Sequence, residues 1–261
     1  MHLLIDQGNS AVKWQIVSSD KIVAAGRAPL ANYASVLECD LAPHRGDIAR
    51  AWVSSVAGAV ERDKLAHILS SQLFRAAVHF AEVLPELAGL RPAYAELSRL
   101  GVDRWLAMLA LHLGSPGLEH KDKLVISLGT AITVDKLGAD GRHLGGQIAP
   151  GWSTLTAILT EKTANIRTKP MPFADAWAAG ALLGDSTDAC VALGVSAMLR
   201  FYIEGLVDAL APSGSSAVVL CGGDASSVAA ALSSSYLVCV RESLVLDGLA
   251  LLAGFDKSGS S

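Results

Sequence analysis

The chain has 261 residues, 51% of them hydrophobic and 18% charged, with a net charge of −4. That length suits one large domain or two small ones with a sizeable core, and the composition excludes a disordered chain. The acidic balance leaves no electrostatic footprint for nucleic acid, and the apolar run at 244–255 is broken by Asp247 and too short to span a bilayer, so neither nucleic acid nor membrane is expected as a partner.

The N-terminus enters strand-like sequence with no charged leader or cleavage pattern, which predicts a cytoplasmic chain without a signal peptide. Cys39, Cys190, Cys221 and Cys239 form no Cys-x-x-Cys pair, and they are expected to be mainly buried free thiols in a reducing compartment.

In chain order, residues 1–30 read as a three-stranded meander. Residues 48–56 are strand-like, 60–73 have helical spacing, and 76–80 form a short strand. Residues 103–113 are helical, with Trp105, Leu106, Leu109 and Leu113 on one face. Gly114-Ser115-Pro116-Gly117 then breaks the chain. A second meander occupies 124–150, followed by helices near 153–160 and over 187–210. Residues 217–220 form a strand, Cys221-Gly222-Gly223-Asp224 a turn, 225–232 a short helix, 237–240 a strand and 244–252 a last helix. These elements predict domains at 1–117 and 118–255, with a disordered polar tail at 256–261.

The two meanders share a design. Ile5-Asp6-Gln7-Gly8-Asn9-Ser10 recurs 121 positions later as Ile126-Ser127-Leu128-Gly129-Thr130-Ala131, so that Asp6 falls on Ser127 and Gly8 on Gly129. Two such strand–turn–strand units can grip a phosphate chain from both sides. This predicts an α/β chain of duplicated ribonuclease H-like domains with a cleft between them. A doubly wound nucleotide-binding sheet is the second reading, but Gly-x-Gly-x-x-Gly and the Gly-x-x-x-x-Gly-Lys-Ser/Thr loop are both missing.

In the first copy, Gly8 lets backbone approach a ligand, Asn9 and Ser10 offer short donors, Asp6 suits Mg²⁺, and Lys13 can reach back to a phosphate. An ordinary turn would use the same residue types. Asp103 precedes a helical run, where a capping residue would also sit. Beside Arg104 it would stay ionised, ready to take a proton from an alcohol. Gly222 and Gly223, between strand and helix, either shape a tight connection or let a flat ring lie on backbone. Trp14, Tyr94 and Trp105 read as core or rim residues, while Gly145-Gly146 and Pro150-Gly151 read as turn residues bounding a strand. The seven histidines show no metal spacing, and no Gly-x-Ser-x-Gly elbow exists.

In order along the chain, Asp6-Gln7-Gly8-Asn9-Ser10, Val53-Ser54-Ser55, Tyr94, Leu100-Gly101-Val102-Asp103-Arg104-Trp105, Leu128-Gly129-Thr130-Ala131 with Thr133 and Asp135, Gly145-Gly146-Gln147-Ile148-Ala149-Pro150-Gly151, Ser186-Thr187-Asp188, Cys221-Gly222-Gly223-Asp224 and Leu246-Asp247-Gly248 together resemble the type III pantothenate kinases. The resemblance implies an actin-like ATPase fold and ATP-dependent phosphorylation of pantothenate to 4'-phosphopantothenate, the first step of coenzyme A synthesis, by a homodimer that uses Mg²⁺ and a monovalent cation (K⁺ or NH₄⁺). It implies that Asp6, Gly8, Asn9, Ser10 and Lys13 form the ATP phosphate loop, with Asp6 near Mg²⁺. Gly129 and Thr130 match the second phosphate loop, and Gly222 and Gly223 part of the adenosine side. Tyr94, Gly101, Arg104 and Thr187 match positions that hold pantothenate, in a site completed at the dimer interface, and Asp103 matches the catalytic base. One position departs from the family pattern: the second-copy acid that helps bind the monovalent cation is Ser127 here, which offers a hydroxyl and no charge. Asn9-Ser10 in place of Asn-Thr keeps the hydroxyl. The loss at Ser127 motivates one alternative, a weak or inactive regulatory homologue on the same scaffold; a kinase for another small hydroxy-acid is a further alternative, because fold alone does not fix substrate.

Overall fold

The computed structural model describes residues 1–18, 21–70, 77–169, 171–178, 182–212, 216–232 and 236–258. The chain forms two compact units. The first comprises Met1–Ala88, Tyr94–Gly114 and the segment from Leu244 onwards; the second comprises Gly89–Ala93 and Ser115–Ser243.

The first unit holds a five-stranded sheet of β1 (His2–Gln7), β2 (Ala11–Ser18), β3 (Lys21–Pro29), β4 (Arg50–Ser55) and β5 (Ala77–Phe80), in the order β3-β2-β1-β4-β5. β1, β2 and β3 pair antiparallel; β4 and β5 extend the sheet in parallel. β1 is central and buried on both faces, which explains its unbroken Leu3-Leu4-Ile5 run. Leu3 and Ile5 pack with Tyr33, Leu37 and Leu41 of α1 (Tyr33–Leu41) and Leu65 and Leu69 of α2 (Ala59–Ser70). Leu4 points to the other face, which is covered by two helices packed on each other, α3 (Val102–Leu113) and α8 (Leu244–Ser258). They cross closely: a Cβ on Gly248 would lie 2.2 Å from the Leu106 carbonyl oxygen.

The second unit repeats this plan. β6 (Asp122–Leu128), β7 (Ala131–Leu137) and β8 (His143–Pro150) form the meander, and β9 (Ser216–Gly222) and β10 (Leu237–Val240) add in parallel, giving the order β10-β9-β6-β7-β8. Leu124, Ile126 and Leu128 pack against α4 (Trp152–Lys162), α5 (Phe173–Ala178), α6 (Thr187–Leu210) and α7 (Ala225–Ala231). α6 is long and apolar enough to cross a membrane. Ala192, Val195, Leu199, Ile203 and Val207 nevertheless form a buried stripe on it, so it serves this unit as a core helix. Two sheets of one topology bear out the duplicated ribonuclease H-like α/β fold, and they add the strand order, which residue patterns alone do not reveal.

Several elements differ from the sequence-based expectation. α1 and α5 were not expected. β9 runs on through Cys221 and Gly222, which pair with Ser127 and Leu128, so the turn begins only at Gly223. α3 is buried around its circumference from Arg104 to Leu111, while Leu113 is exposed. The contact boundary follows Gly114, but α8 returns to the first unit instead of completing the second. α8 also continues to Ser258, so 256–258 are helical; 259–261 of the expected tail, and 71–73 of the expected second helix, lie outside the described residues. Cys221 is buried, but Cys39 and Cys190 are exposed and Cys239 is half-buried; all four are free.

Candidate active site

In the first unit, β1 delivers Asp6 to the same strand face as Leu4, beneath the helices α3 and α8. Asp6 stands opposite Lys13 on β2 and Ser54 on β4. Burial, and then the negative charge of Asp103, push its carboxyl up to about 6; Lys13 and the Ser54 hydroxyl pull the other way without cancelling this. Asp103 is therefore within electrostatic reach of Asp6, at the start of α3. The turn after β1 is tight, with the Gly8 N–H donating to the Ala11 carbonyl at 3.0 Å, and it leaves Asn9 and Ser10 exposed.

Asp103 is not the N-cap of α3. That position belongs to Gly101, and Asp103 is the second helical residue, with its Oδ1 accepting from the Arg104 N–H at 2.8 Å. The carboxylate folds back over Gly101, where a Cβ would fall 2.5 Å from Oδ1. Gly101 thus makes room for the acid. Arg104 is buried, donating from Nη1 to the Tyr94 hydroxyl at 3.1 Å, with the guanidinium 5.8 Å from the Tyr94 ring centre. Trp14 and Trp105 lie in the core as expected.

In the second unit, Ser127 occupies the place that Asp6 has in the first, facing Thr133 on β7 and Cys221 on β9. The hairpins are not superposable residue for residue. Gln7 pairs with Val12 across four intervening positions, but Leu128 pairs with Ile132 across three. The Asp6–Lys13 pair is consequently matched by Ser127–Thr133, a pair without charge. Gly129 and Thr130 are exposed at the turn, and α4 braces them from behind: the Gly151 N–H donates to the Thr130 carbonyl at 2.9 Å, and the Thr154 hydroxyl donates to it at 2.7 Å. A Cβ on Gly151 would lie 1.9 Å from the Gly129 carbonyl oxygen. Sequence reasoning took Gly151 for a turn residue and missed Thr154; the signal available was Gly-x-x-Thr opening a helix.

Gly222 has φ +96° and sits against the Leu128 backbone, 2.2 Å from its carbonyl oxygen were a Cβ present, so glycine is required there twice over. Gly223 faces open space. Thr187 opens α6 behind the N-cap Ser186 and lines a groove of about 770 Å³ with Leu159, Ile166, Cys190 and Met198. Of the expected site residues, Asp6, Gly8, Asn9, Ser10, Lys13, Tyr94, Gly101, Asp103 and Arg104 therefore belong to the first unit. Ser127, Gly129, Thr130, Thr187, Gly222 and Gly223 belong to the second.

The donor chemistry at Asp6 suits Mg²⁺. A desolvated carboxylate near a second one makes an oxygen-rich, electron-rich spot. Among the described residues no group of three or more His, Cys, Asp or Glu could hold a metal ion by itself.

The raised Asp6 carboxyl has a signed consequence. Its folded value of about 6 exceeds the ordinary 3.8, so its contribution to stability is complete below pH 3.8 and is lost as pH rises through about 6. In metal-free protein, Asp103→Asn removes the repulsion and should lower the Asp6 midpoint in a carboxyl ¹³C NMR titration. A midpoint that stays put or rises contradicts the proximity of the two acids. Asp6→Asn should flatten the stability loss over the same pH window in denaturant titrations.

The family model for type III pantothenate kinase matches residues 2–209. The chain is 36% identical over 257 residues to the type III pantothenate kinase of Pseudomonas fluorescens, covering 96% of this chain and 98% of that one. It is 33% identical over 264 residues to that of Saccharophagus degradans, with 96% and 98% covered. Among solved structures, the activator of 2-hydroxyisocaproyl-CoA dehydratase from Clostridium difficile aligns with a TM-score of 0.59 at 15% identity, over 99% of this chain and 96% of that one. Component A of (R)-2-hydroxyglutaryl-CoA dehydratase from Acidaminococcus fermentans aligns at 0.57 and 17%, over 99% of each. These two likenesses concern the fold alone. With motifs, topology and full-length relatives in agreement, the chain belongs to the type III pantothenate kinase family.

Proposed function

We propose that Asp103 is the general base in the ATP-dependent phosphorylation of pantothenate by this chain. The observation that carries this reading is the pair of carboxylates in the first unit, Asp6 and Asp103, close enough for one to raise the other. They divide the work. Asp6, with Gly8, Asn9, Ser10 and Lys13, receives the phosphates of ATP; Asp103 faces the acceptor alcohol. Asp103 takes the proton as the alcohol oxygen bonds to the γ-phosphorus. The bond from that phosphorus to the β–γ bridging oxygen breaks, ADP leaves, and the proton passes to solvent. Phosphoryl transfer depends on positioning and charge neutralisation, which these residue types supply. A magnesium ion held through Asp6 would spread the phosphate charge.

Pantothenate binding falls to Tyr94, Arg104 and Thr187. Arg104 is preorganised by the Tyr94 hydroxyl, so its planar fork meets a carboxylate at little entropic cost. Gly101 serves by seating Asp103. Gly129 and Thr130, braced by Gly151 and Thr154, form the second phosphate loop, and Gly222 and Gly223 the adenosine side. A homodimer is part of the same reading. Leu144 and Ile148 on β8 and Met198 and Phe201 on α6 are exposed apolar side chains of one unit, and Tyr202 donates to Gln147 to tie the two elements together. We place the enzyme in the cytoplasm, in keeping with four free thiols. The intact first-copy set leaves neither the non-catalytic alternative nor another hydroxy-acid with an observation in its favour.

In a coupled ATP assay, Asp103→Asn should lower kcat by about 10²–10⁴-fold. Retention of near-full turnover would remove Asp103 from the base role. Gly101→Ala pushes only the flexible end of the Asp103 side chain, so kcat should fall well before the thermal midpoint does. Equal loss of both would mean Gly101 is purely structural. With Ser127 paired to Thr133 in place of an acid, the rate should respond weakly to potassium or ammonium. A steep potassium activation curve contradicts that.

A further inference from the structure

Residues Asp135 and His143 form a buried pair outside the constellation above. His143 Nε2 lies 2.9 Å from Asp135 Oδ1, with both side chains almost fully shielded from solvent. On its other side, His143 Nδ1 accepts from the Ala93 N–H at 3.4 Å. Ala93 belongs to the short strap Gly89–Ala93, which is counted with the second unit although the chain on both sides of it belongs to the first. Two backbone bonds complete the fastening: the Arg91 N–H donates to the Gly141 carbonyl at 3.0 Å, and the His143 N–H donates to the Arg91 carbonyl at 2.9 Å. The next residue after the strap is Tyr94, whose hydroxyl accepts from Arg104.

A neutral imidazole carries one N–H and one lone pair. The Asp135 carboxylate favours the tautomer with the proton on Nε2. That leaves the Nδ1 lone pair facing Ala93. With the proton on Nδ1, two N–H groups would confront each other and the strap would lose its side-chain anchor. The arrangement costs burial of a carboxylate and an imidazole, which a simple β-hairpin does not need.

We propose that His143 is a positioning residue for pantothenate: Asp135 sets its tautomer, and its Nδ1 anchors the strap that presents Tyr94 to Arg104. This rests on the reading that Tyr94 and Arg104 hold pantothenate. The effect is on substrate affinity, because the strap carries no reacting group.

The test separates the two ring nitrogens. Asn at 143 places an oxygen near the position of Nδ1 and keeps an acceptor for Ala93; Gln places its end near Nε2 and does not. In the enzyme, His143→Gln should raise KM for pantothenate about three- to tenfold, the value of one hydrogen bond, with KM for ATP unchanged. It should also speed hydrogen exchange at the Ala93 amide. His143→Asn should stay near wild type in both. Equal effects of the two variants, or unchanged exchange at Ala93 in His143→Gln, would overturn the proposal. If neither variant folds, ¹⁵N NMR of the wild-type ring decides: a protonated Nε2 and bare Nδ1 support it, and the reverse tautomer overturns it. Tyr94→Phe is the control on the underlying reading. An unchanged pantothenate KM there refutes the role of Tyr94, while exchange at Ala93 still judges the anchor.

Discussion

Two carboxylates kept near each other under a pair of helices set the terms for the first unit. Alternation along β1 turns Asp6 towards α3 and α8 at the cost of desolvating it, and the first turn of α3 brings Asp103 into range. Neither effect is stabilising for an ionised pair. Lys13 offsets part of the repulsion from the neighbouring strand, and the remainder is what a divalent cation and a phosphate chain would relieve. Gly101 and Arg104 make sense in relation to this pair. One vacates the space into which Asp103 folds, and the other is held by Tyr94 immediately beside it.

The duplicated meander has diverged in function while keeping its topology. The first copy retains an acid and a base facing each other across the hairpin, and a turn one residue longer. The second has given up both charges and relies on backbone: a braced turn, a glycine of positive φ against Leu128, and a helix that donates to the turn's carbonyl. Ser127 takes no part in the bonds that hold the Thr130 carbonyl to Gly151 and Thr154.

Local pattern made most of this fold legible. The meanders, α6 and the parallel strands follow from apolar periodicity and from Gly- and Asp-rich turns. The missed elements have physical reasons. α5 is only six residues long, and α1 buries only Tyr33, Leu37 and Leu41 of its nine residues. A fixed offset of 121 aligned Asp6 with Ser127 correctly but hid the shorter second turn, because a one-residue difference shows only in strand pairing. The capping reading of Asp103 failed by two positions, within the usual uncertainty of a helix end. Gly151 and Thr154 left only Gly-x-x-Thr at a helix start as a signal, and the Asp135–His143 pair was beyond reach, since its role depends on which backbone lies opposite, and no single segment encodes that.

The return of α8 to the first unit imposes an order on biogenesis. Leu4 and the buried face of α3 are made early, but the helix that packs on α3 through Gly248 leaves the ribosome more than 120 residues after α3 ends. The second unit has no such debt to later sequence and is complete at Ser243. During synthesis the amino-terminal sheet must therefore wait with one apolar face open, and the region translated first is among the last to close. Nascent chains stalled before residue 244 should be the ones that chaperones hold longest.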